Sequence, residues 1–321
     1  MSANASTAML SRSVVKKVPA IETPEGAGAI VRRSIGTPAL RNLSPFLMYD
    51  HFHAPEGAGF PDHPHRGMTT VTYVLQGAFQ HEDFMGNAGI IGPGASQVMS
   101  AGRGVVHAEM PLHRDAQGNK LPDPVGLQLW IDLPEESKMS EPYYQEFTAE
   151  EMPTARPRPS EPIETEGSDW EIKILAGESH GVKSPVRSPE RGQCWYLDVR
   201  LNKPGARVFQ PIPTGWTAFI YVGDSAPIKV GDDASLAAHE KFHTLVLSNK
   251  AVVTDPKTDP STGEEGRAFV IAGMPLDQTV YQHGPFVMTS AAEIRQAFED
   301  YQYGQNGFER APGWRSKIGG Q

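Results

Sequence analysis

The stretch Asp62-His63-Pro64-His65-Arg66-Gly67-Met68-Thr69-Thr70-Val71-Thr72-Tyr73-Val74 carries two readings at once. From Thr69 to Leu75 it is rich in Thr, Val and Tyr and stops at Gly77, the composition of a β-strand closed by a turn. Just ahead of it, His63 and His65 are separated by a single residue. Alternate side chains of an extended chain point the same way, so the two imidazoles share one face.

The strand recurs. Gly67–Val74 aligns with Gly215-Trp216-Thr217-Ala218-Phe219-Ile220-Tyr221-Val222. The segment before the second copy is Gln210-Pro211-Ile212-Pro213-Thr214, so this copy keeps the strand and loses both histidines. The repeat predicts two similar β-domains, of which only the first can bind a metal. Further strands are expected at Gly126–Leu133, Trp170–Ala176, Cys194–Leu201, Ala218–Val222, His243–Leu247 and Ala268–Ala272, with Pro93-Gly94 as a turn. In Gly126–Leu133 the residues Leu127, Leu129 and Ile131 alternate with Gln128 and Trp130. A helix signal comes late, where Ser290 and Glu293 form a capping box and Ile294, Phe298 and Tyr301 share a stripe.

Composition agrees with an all-β chain. The 321 residues include 32 Gly and 28 Pro, suited to many short strands and turns, and 39% are hydrophobic, enough for two cores. The net charge of −9 argues against direct, phosphate-driven nucleic-acid binding. A single cysteine, Cys194, excludes an intramolecular disulfide and fits a reducing compartment. No apolar run is long enough to span a bilayer. Met1 to Lys17 has no acid and weakly resembles a transit peptide, but a disordered extension is the reading preferred here. The Pro-rich run Met152–Pro159 excludes a helix or a central strand and reads as a linker.

A second pair of candidate ligands follows Gly102-Arg103-Gly104-Val105-Val106. His107-Ala108-Glu109 sets an imidazole and a carboxylate on one strand face. Combined with His63 and His65 it gives three nitrogens and one oxygen, a set that suits a first-row transition metal, iron among them, and leaves positions open for substrate and dioxygen. The remaining histidines have no such partner and are read as surface, loop or hydrogen-bonded. Trp130, Trp170, Trp195 and Trp216 are read as core, Met68, Val98 and Met110 as packing beside the ligand motifs, and Cys194 as buried. Arg32-Arg33 and the tail with Arg310, Arg315 and Lys317 are read as solvated surface.

Several long motifs in order resemble the pirin family of the cupin superfamily. They are Val31–Gly36, Gly59–Gly67, Ser100–Gly104 with Val105–Pro111, Gly126–Trp130, Gln210–Trp216 and Gln282–Met288, and the likeness runs from about Ser11 to Gly319. The resemblance implies a bicupin: two antiparallel, jelly-roll-like β-barrel domains and a short C-terminal helix. On this basis residues 1–20 are a disordered extension, 21–150 a metal-binding cupin and 151–167 the linker. Residues 168–321 are a second cupin without a metal site, together with the helix. The family's ligands carry over onto His63, His65, His107 and Glu109, holding one non-haem iron (Fe) per chain. One departure stands out: typical members have a glutamate four residues after the second histidine, where this chain has Thr69, which bears on the pocket's polarity and proton supply.

Two roles follow from the resemblance. One is quercetin 2,3-dioxygenase activity, in which Glu109 is the catalytic base, a flavonol and O2 are the substrates, and the central ring opens with release of carbon monoxide. The other is a redox-responsive nuclear co-regulator that contacts a transcription-factor protein through an iron-dependent surface. The expected chain is a monomer, cytoplasmic or nuclear, without membrane or direct nucleic-acid contact.

Overall fold

In the computed structural model, residues 11–157, 169–189, 191–231, 237–249, 253–254, 256–258 and 263–319 are described. The expected strands form with their ends shifted by no more than a residue or two. Thr69–Leu75 lies within Met68–Gln76, while Trp170–Ala176, Cys194–Leu201 and His243–Leu247 fall as expected. Among the described residues no helix is long and apolar enough to cross a membrane.

The chain divides into two compact units. One comprises Ala20–Met152 and Leu276–Gln321; the other comprises Pro153–Pro275 and the described residues that precede Ala20. This differs from the expected boundaries at both ends. Val14–Pro19 is a strand paired antiparallel with His243–Leu247, so the part of the expected disordered extension that is described belongs to the second unit's sheet. The C-terminal helix, assigned above to the second domain, belongs to the first. Both corrections arise from hydrogen bonding between residues far apart in sequence. Within the expected linker, Thr154–Ala155 adds a two-residue edge to the sheet by pairing with Lys173 and Ile172; residues 158–168 lie outside the described part.

The repeat seen in the sequence is a repeat of topology. The seven-stranded sheet of the first unit runs, edge to edge, through Tyr143–Phe147, Ser96–Ser100, Met68–Gln76, Val125–Asp132, Phe46–His53, Ala29–Ile35 and Ile21–Glu25. That of the second runs Val14–Pro19, His243–Leu247, Thr217–Val222, Gly266–Gly273, Cys194–Leu201, Trp170–Ala176 and Thr154–Ala155. The two matched strands, Met68–Gln76 and Thr217–Val222, each occupy the third place. The first unit adds a four-stranded sheet in the order Phe60–His65, Val105–Leu112, Ala78–Asp83, Ala88–Ile91. Among the described residues the paired strands of these sheets are all antiparallel, and the sheets stay separate rather than closing into one hydrogen-bonded ring, so each unit is a cupin jelly roll and not a closed barrel.

The second unit is filled by inward Ile, Leu and Val from every long strand, with Trp170, Trp216 and the half-buried Trp195 around them. Arg12 enters it fully buried, its guanidinium donating to the carbonyls of Trp216 at 2.8 Å and Pro213 at 3.0 Å. Cys194 is buried and its thiol pKa is pushed up by desolvation, as suits a structural side chain.

The helix Ala291–Tyr303 begins as the sequence implies. Ser290 Oγ accepts from the Glu293 backbone N–H, and the Glu293 carboxylate accepts from the Ser290 hydroxyl. It ends at Gly304, at φ +64°, whose N–H bonds the Asp300 carbonyl. Its buried residues, however, are Ile294, Ala297 and Asp300; Phe298 and Tyr301 remain partly exposed, though both rings contact Phe286. The helix core also takes in Phe84, Val106, Met288 and Phe308. Val106 precedes His107, so the helix supports the back of a strand that carries a candidate ligand.

Candidate metal centre

His63 and His107 stand directly opposite one another on paired strands, and His65 faces Val105. Between His107 and Glu109 the pairing slips: Glu109 is opposite Phe60, so Pro61 and Asp62 together oppose Ala108. This is a β-bulge, and proline is at home there because it has no N–H to give to the ladder. The bulge brings the Pro61 carbonyl within 2.8 Å of His63 Nδ1. A carbonyl only accepts, so Nδ1 carries the proton and Nε2 presents its lone pair.

The three rings converge. Centroids lie 4.4 Å apart for His63 and His107, 4.9 Å for His63 and His65, and 5.0 Å for His65 and His107. Each offers a ligand nitrogen within 4.8 Å of the other two, and among the described residues no other His, Cys, Asp and Glu side chains form such a group. His65 and His107 are each 1% exposed. Burial, followed by the neighbouring imidazoles, holds both pKa values well below 6.5, so both rings are neutral near pH 7, the form that binds metal.

The donor set fits a cation. The Nε2 atoms of His63 and His107 approach to 3.0 Å, and Nδ1 of His65 and of His107 are buried with no hydrogen-bond partner among the described residues. A bound metal would take one lone pair from each of three rings gathered in this way, that of His107 through Nε2 beside His63.

Glu109 is placed differently from the expectation. It is 5% exposed but lies outside the close group. Its Oε1 accepts from the Thr72 hydroxyl at 3.3 Å and its Oε2 from Gln128 Nε2 at 3.0 Å. Gln128 Oε1 in turn accepts from Trp130 Nε1 at 3.0 Å, and the Trp130 ring meets His65 edge-on at 5.2 Å. The carboxylate is therefore held beside the imidazoles by neutral donors from the seven-stranded sheet.

Trp130, half-buried, packs against the buried cluster of Leu47, Met68 and Val287 and also lines the cavity. Gln128 and Thr72 were not singled out from sequence; for Gln128 the alternation in Gly126–Leu133 was the signal, since in this strand the polar face looks inward. Thr69 lies on the other face of its strand, where its hydroxyl is 3.4 Å from Ser100 Oγ and it does not line the cavity. The strand's hydroxyl toward the site is instead that of Thr72, which reaches Glu109. Met68 and Val98 are buried, and with the half-buried Met110 they are packing residues that do not line the cavity. Arg33, expected at a solvated surface, grips Asp50 through Nε at 2.9 Å and Nη2 at 2.6 Å and also contacts Glu25. In the second unit the position matched to the segment before His63 holds Gln210, 1% exposed, which accepts from Ser179 Oγ at 2.6 Å.

A cavity of about 940 Å³ opens onto the site, lined by His63, His65, Glu109, Gln128 and Trp130 at one end and walled by Val31, Phe52 and Phe60. It is at the upper end of the range for small-molecule pockets, about 300–1,000 Å³.

Comparison with known proteins gives a consistent picture. Residues 28–131 match the family described as Pirin, and residues 196–307 match the Pirin C-terminal cupin domain. Pirin of Homo sapiens is 45% identical over 310 residues, covering 96% of this chain and 99% of the human one. A pirin-like protein of Solanum lycopersicum is 48% identical over 310 residues, covering 95% of this chain and 97% of its own. Among solved structures, a quercetin 2,3-dioxygenase of Acinetobacter baumannii superposes with a TM-score of 0.78 at 27% identity, over 92% of this chain and 98% of that one. A bacterial pirin of Escherichia coli, solved in complex with nickel(II), shares the fold at a TM-score of 0.58 and 17% identity, over 81% of this chain and 99% of its own.

Proposed function

The chain belongs to the pirin family, and from that premise we propose that it is an iron-dependent dioxygenase of the quercetin 2,3-dioxygenase type, acting on a flavonol-like molecule with O2. The observation that carries this reading is the cavity of about 940 Å³ leading to three converging imidazoles with a carboxylate beside them. The likeness to the Acinetobacter enzyme supports it.

In this reading His63, His65 and His107 hold the metal, which when bound supplies Lewis acidity toward a hydroxyl–keto pair and access for dioxygen. Glu109 takes the proton of the flavonol hydroxyl. Its two oxygens accept from Thr72 and Gln128 and keep lone pairs free for that proton. Phe52 and Phe60 shield the aromatic rings from water, and Trp130 fixes both His65 and, through Gln128, the base.

A redox-responsive co-regulator, the competing role, needs no open route from solvent to the imidazoles. The cavity favours the enzyme. The test is metal content together with aerobic quercetin turnover in wild type, His63→Ala and Glu109→Ala. Stoichiometric iron, with turnover lost in both variants, is the expected result. Iron without turnover in wild type sinks the dioxygenase reading, and unchanged metal content in His63→Ala sinks the site.

A further inference from the structure

The charged side chains around the cavity form a census with one remainder. Glu25 and Asp50 are both engaged by Arg33, Asp62 accepts from the Ser316 hydroxyl, and Glu109 accepts from Thr72 and Gln128. Arg41 also lines the cavity and is the one charged lining residue for which no hydrogen bond or ion pair is found among the described residues. Asn42, beside it on the wall, presents a second uncommitted donor.

The backbone that presents them is fixed. Leu40, 9% exposed, anchors the preceding turn through its N–H to the Thr37 carbonyl at 3.1 Å, and Leu43 donates to the Phe46 carbonyl at 2.8 Å on the other side. Two residues between two closed turns thus hold a guanidinium and an amide at the cavity wall. A planar guanidinium next to an amide N–H₂ matches the oxygens of a carboxylate or a sulfate.

Building on the dioxygenase reading, we propose that Arg41 is a specificity-determining residue and that the substrate is an anionic flavonol-like molecule, its carboxylate or sulfate group held at Arg41 while its hydroxyl–keto pair faces the imidazoles. The two ends of the cavity then divide the work: His63, His65, His107 and Glu109 read the reacting ring, and Arg41 reads the charge. Arg33 is excluded from this task because two carboxylates already occupy it.

The test is calorimetric binding to the metal-loaded full chain, independent of turnover. The probes are quercetin and two anionic derivatives, one sulfonated on the dihydroxyphenyl ring and one sulfated on the fused ring. At low salt, at least one anionic derivative is expected to bind fivefold or more tightly than quercetin, a preference that shrinks as salt is raised. Arg41→Ala brings that ratio near one, Arg41→Glu inverts it, and Arg41→Lys retains part of it, which separates loss of charge from loss of fold. Quercetin binding without any preference for the anions overturns this inference alone. A preference that survives in Arg41→Ala overturns it as well. Failure of all three probes to bind wild type overturns it together with the flavonol reading.

Discussion

Arg66 Nη1 donates to Asp300 Oδ2 at 2.7 Å, with both side chains 1% exposed. Arg66 directly follows the candidate ligand His65. Its Nε donates to the Arg103 carbonyl at 2.6 Å, its Nη2 to the Asn306 carbonyl at 2.7 Å, and its guanidinium lies 4.7 Å from the centre of the Phe308 ring. The C-terminal helix therefore fixes the end of the strand that carries His63 and His65. Asp300 is engaged on its other oxygen by Gln296 and Asn306, so the carboxylate is satisfied on both sides.

Asp300→Ala leaves a buried guanidinium without its counter-charge. The expected loss of stability is about 3–5 kcal/mol, read by denaturant unfolding with an unchanged slope. Replacing both partners, Arg66→Met with Asp300→Leu, recovers part of it, because an apolar pair avoids the desolvation of two charges. A loss below about 1 kcal/mol in the single variant would show that the pair does not brace the strand.

The same pair sets an acid dependence. Desolvation raises the Asp300 pKa, but the hydrogen bonds from Arg66, Gln296 and Asn306 outweigh it and hold it below 3.8. A carboxyl with a folded pKa below its unfolded value stabilises the fold above the unfolded value and loses that contribution as pH falls through the folded one. The stability gap between wild type and Asp300→Asn should therefore be flat above about pH 5 and narrow toward about pH 3. A gap that stays constant through this window contradicts the assignment.

Gln128 links Trp130 to Glu109, and Gln128→Ala removes one donor from the carboxylate and the acceptor of the indole. A hydrogen bond to a charged group contributes about 1.5–3 kcal/mol, so turnover should fall on the order of tenfold or more. Bound metal should stay at the wild-type level, since the imidazoles are untouched. Metal lost in step with turnover would place Glu109 among the ligands instead.

Gly67 sits at φ +75°, and a Cβ there would lie 2.0 Å from the Val287 carbonyl oxygen. Gly67→Ala combines left-handed strain of about 1–3 kcal/mol with a backbone collision that no rotamer change relieves. The expected result is a sharply lowered melting temperature and reduced soluble yield. A melting temperature within a degree or two of wild type would mean that the Phe286–Met288 strand is free to move away.

Chelation should destabilise the folded chain, because a metal that binds only the native state adds stability by mass action, about 2.7 kcal/mol at a hundred times its dissociation constant. Thermal melts with chelator, and after adding back iron(II) or nickel(II), should show a fall and a recovery. The recovery should be absent in His107→Ala. Identical melts with and without chelator would argue against a metal at the three histidines.

Local signals carried most of the fold. Strand ends, the capping box at Ser290 and the matched repeat were legible because they depend on neighbours in sequence. The pairing of Val14–Pro19 with His243–Leu247 was not, because nothing in either segment names a partner over two hundred residues away. In the site, His-x-His and His-x-Glu were visible as spacing. The roles of Gln128, Thr72 and Trp130 were hidden, since an alternating strand does not say which face is inside when the interior holds a polar centre. Asp300 broke the apolar stripe of its helix, and only the distant Arg66 explains why that is tolerated.

The brace on Arg66 also has a consequence in time. Translation delivers the three histidines and Glu109 well before Asp300 and Phe308. A nascent chain carries every atom of the metal pocket long before it owns the part that steadies it. Message truncation or a premature stop ahead of the final helix would release a polypeptide with the complete set of imidazoles and an unbuttressed strand. The protein thereby ties its chemistry to having been read through as far as the helix that holds Arg66.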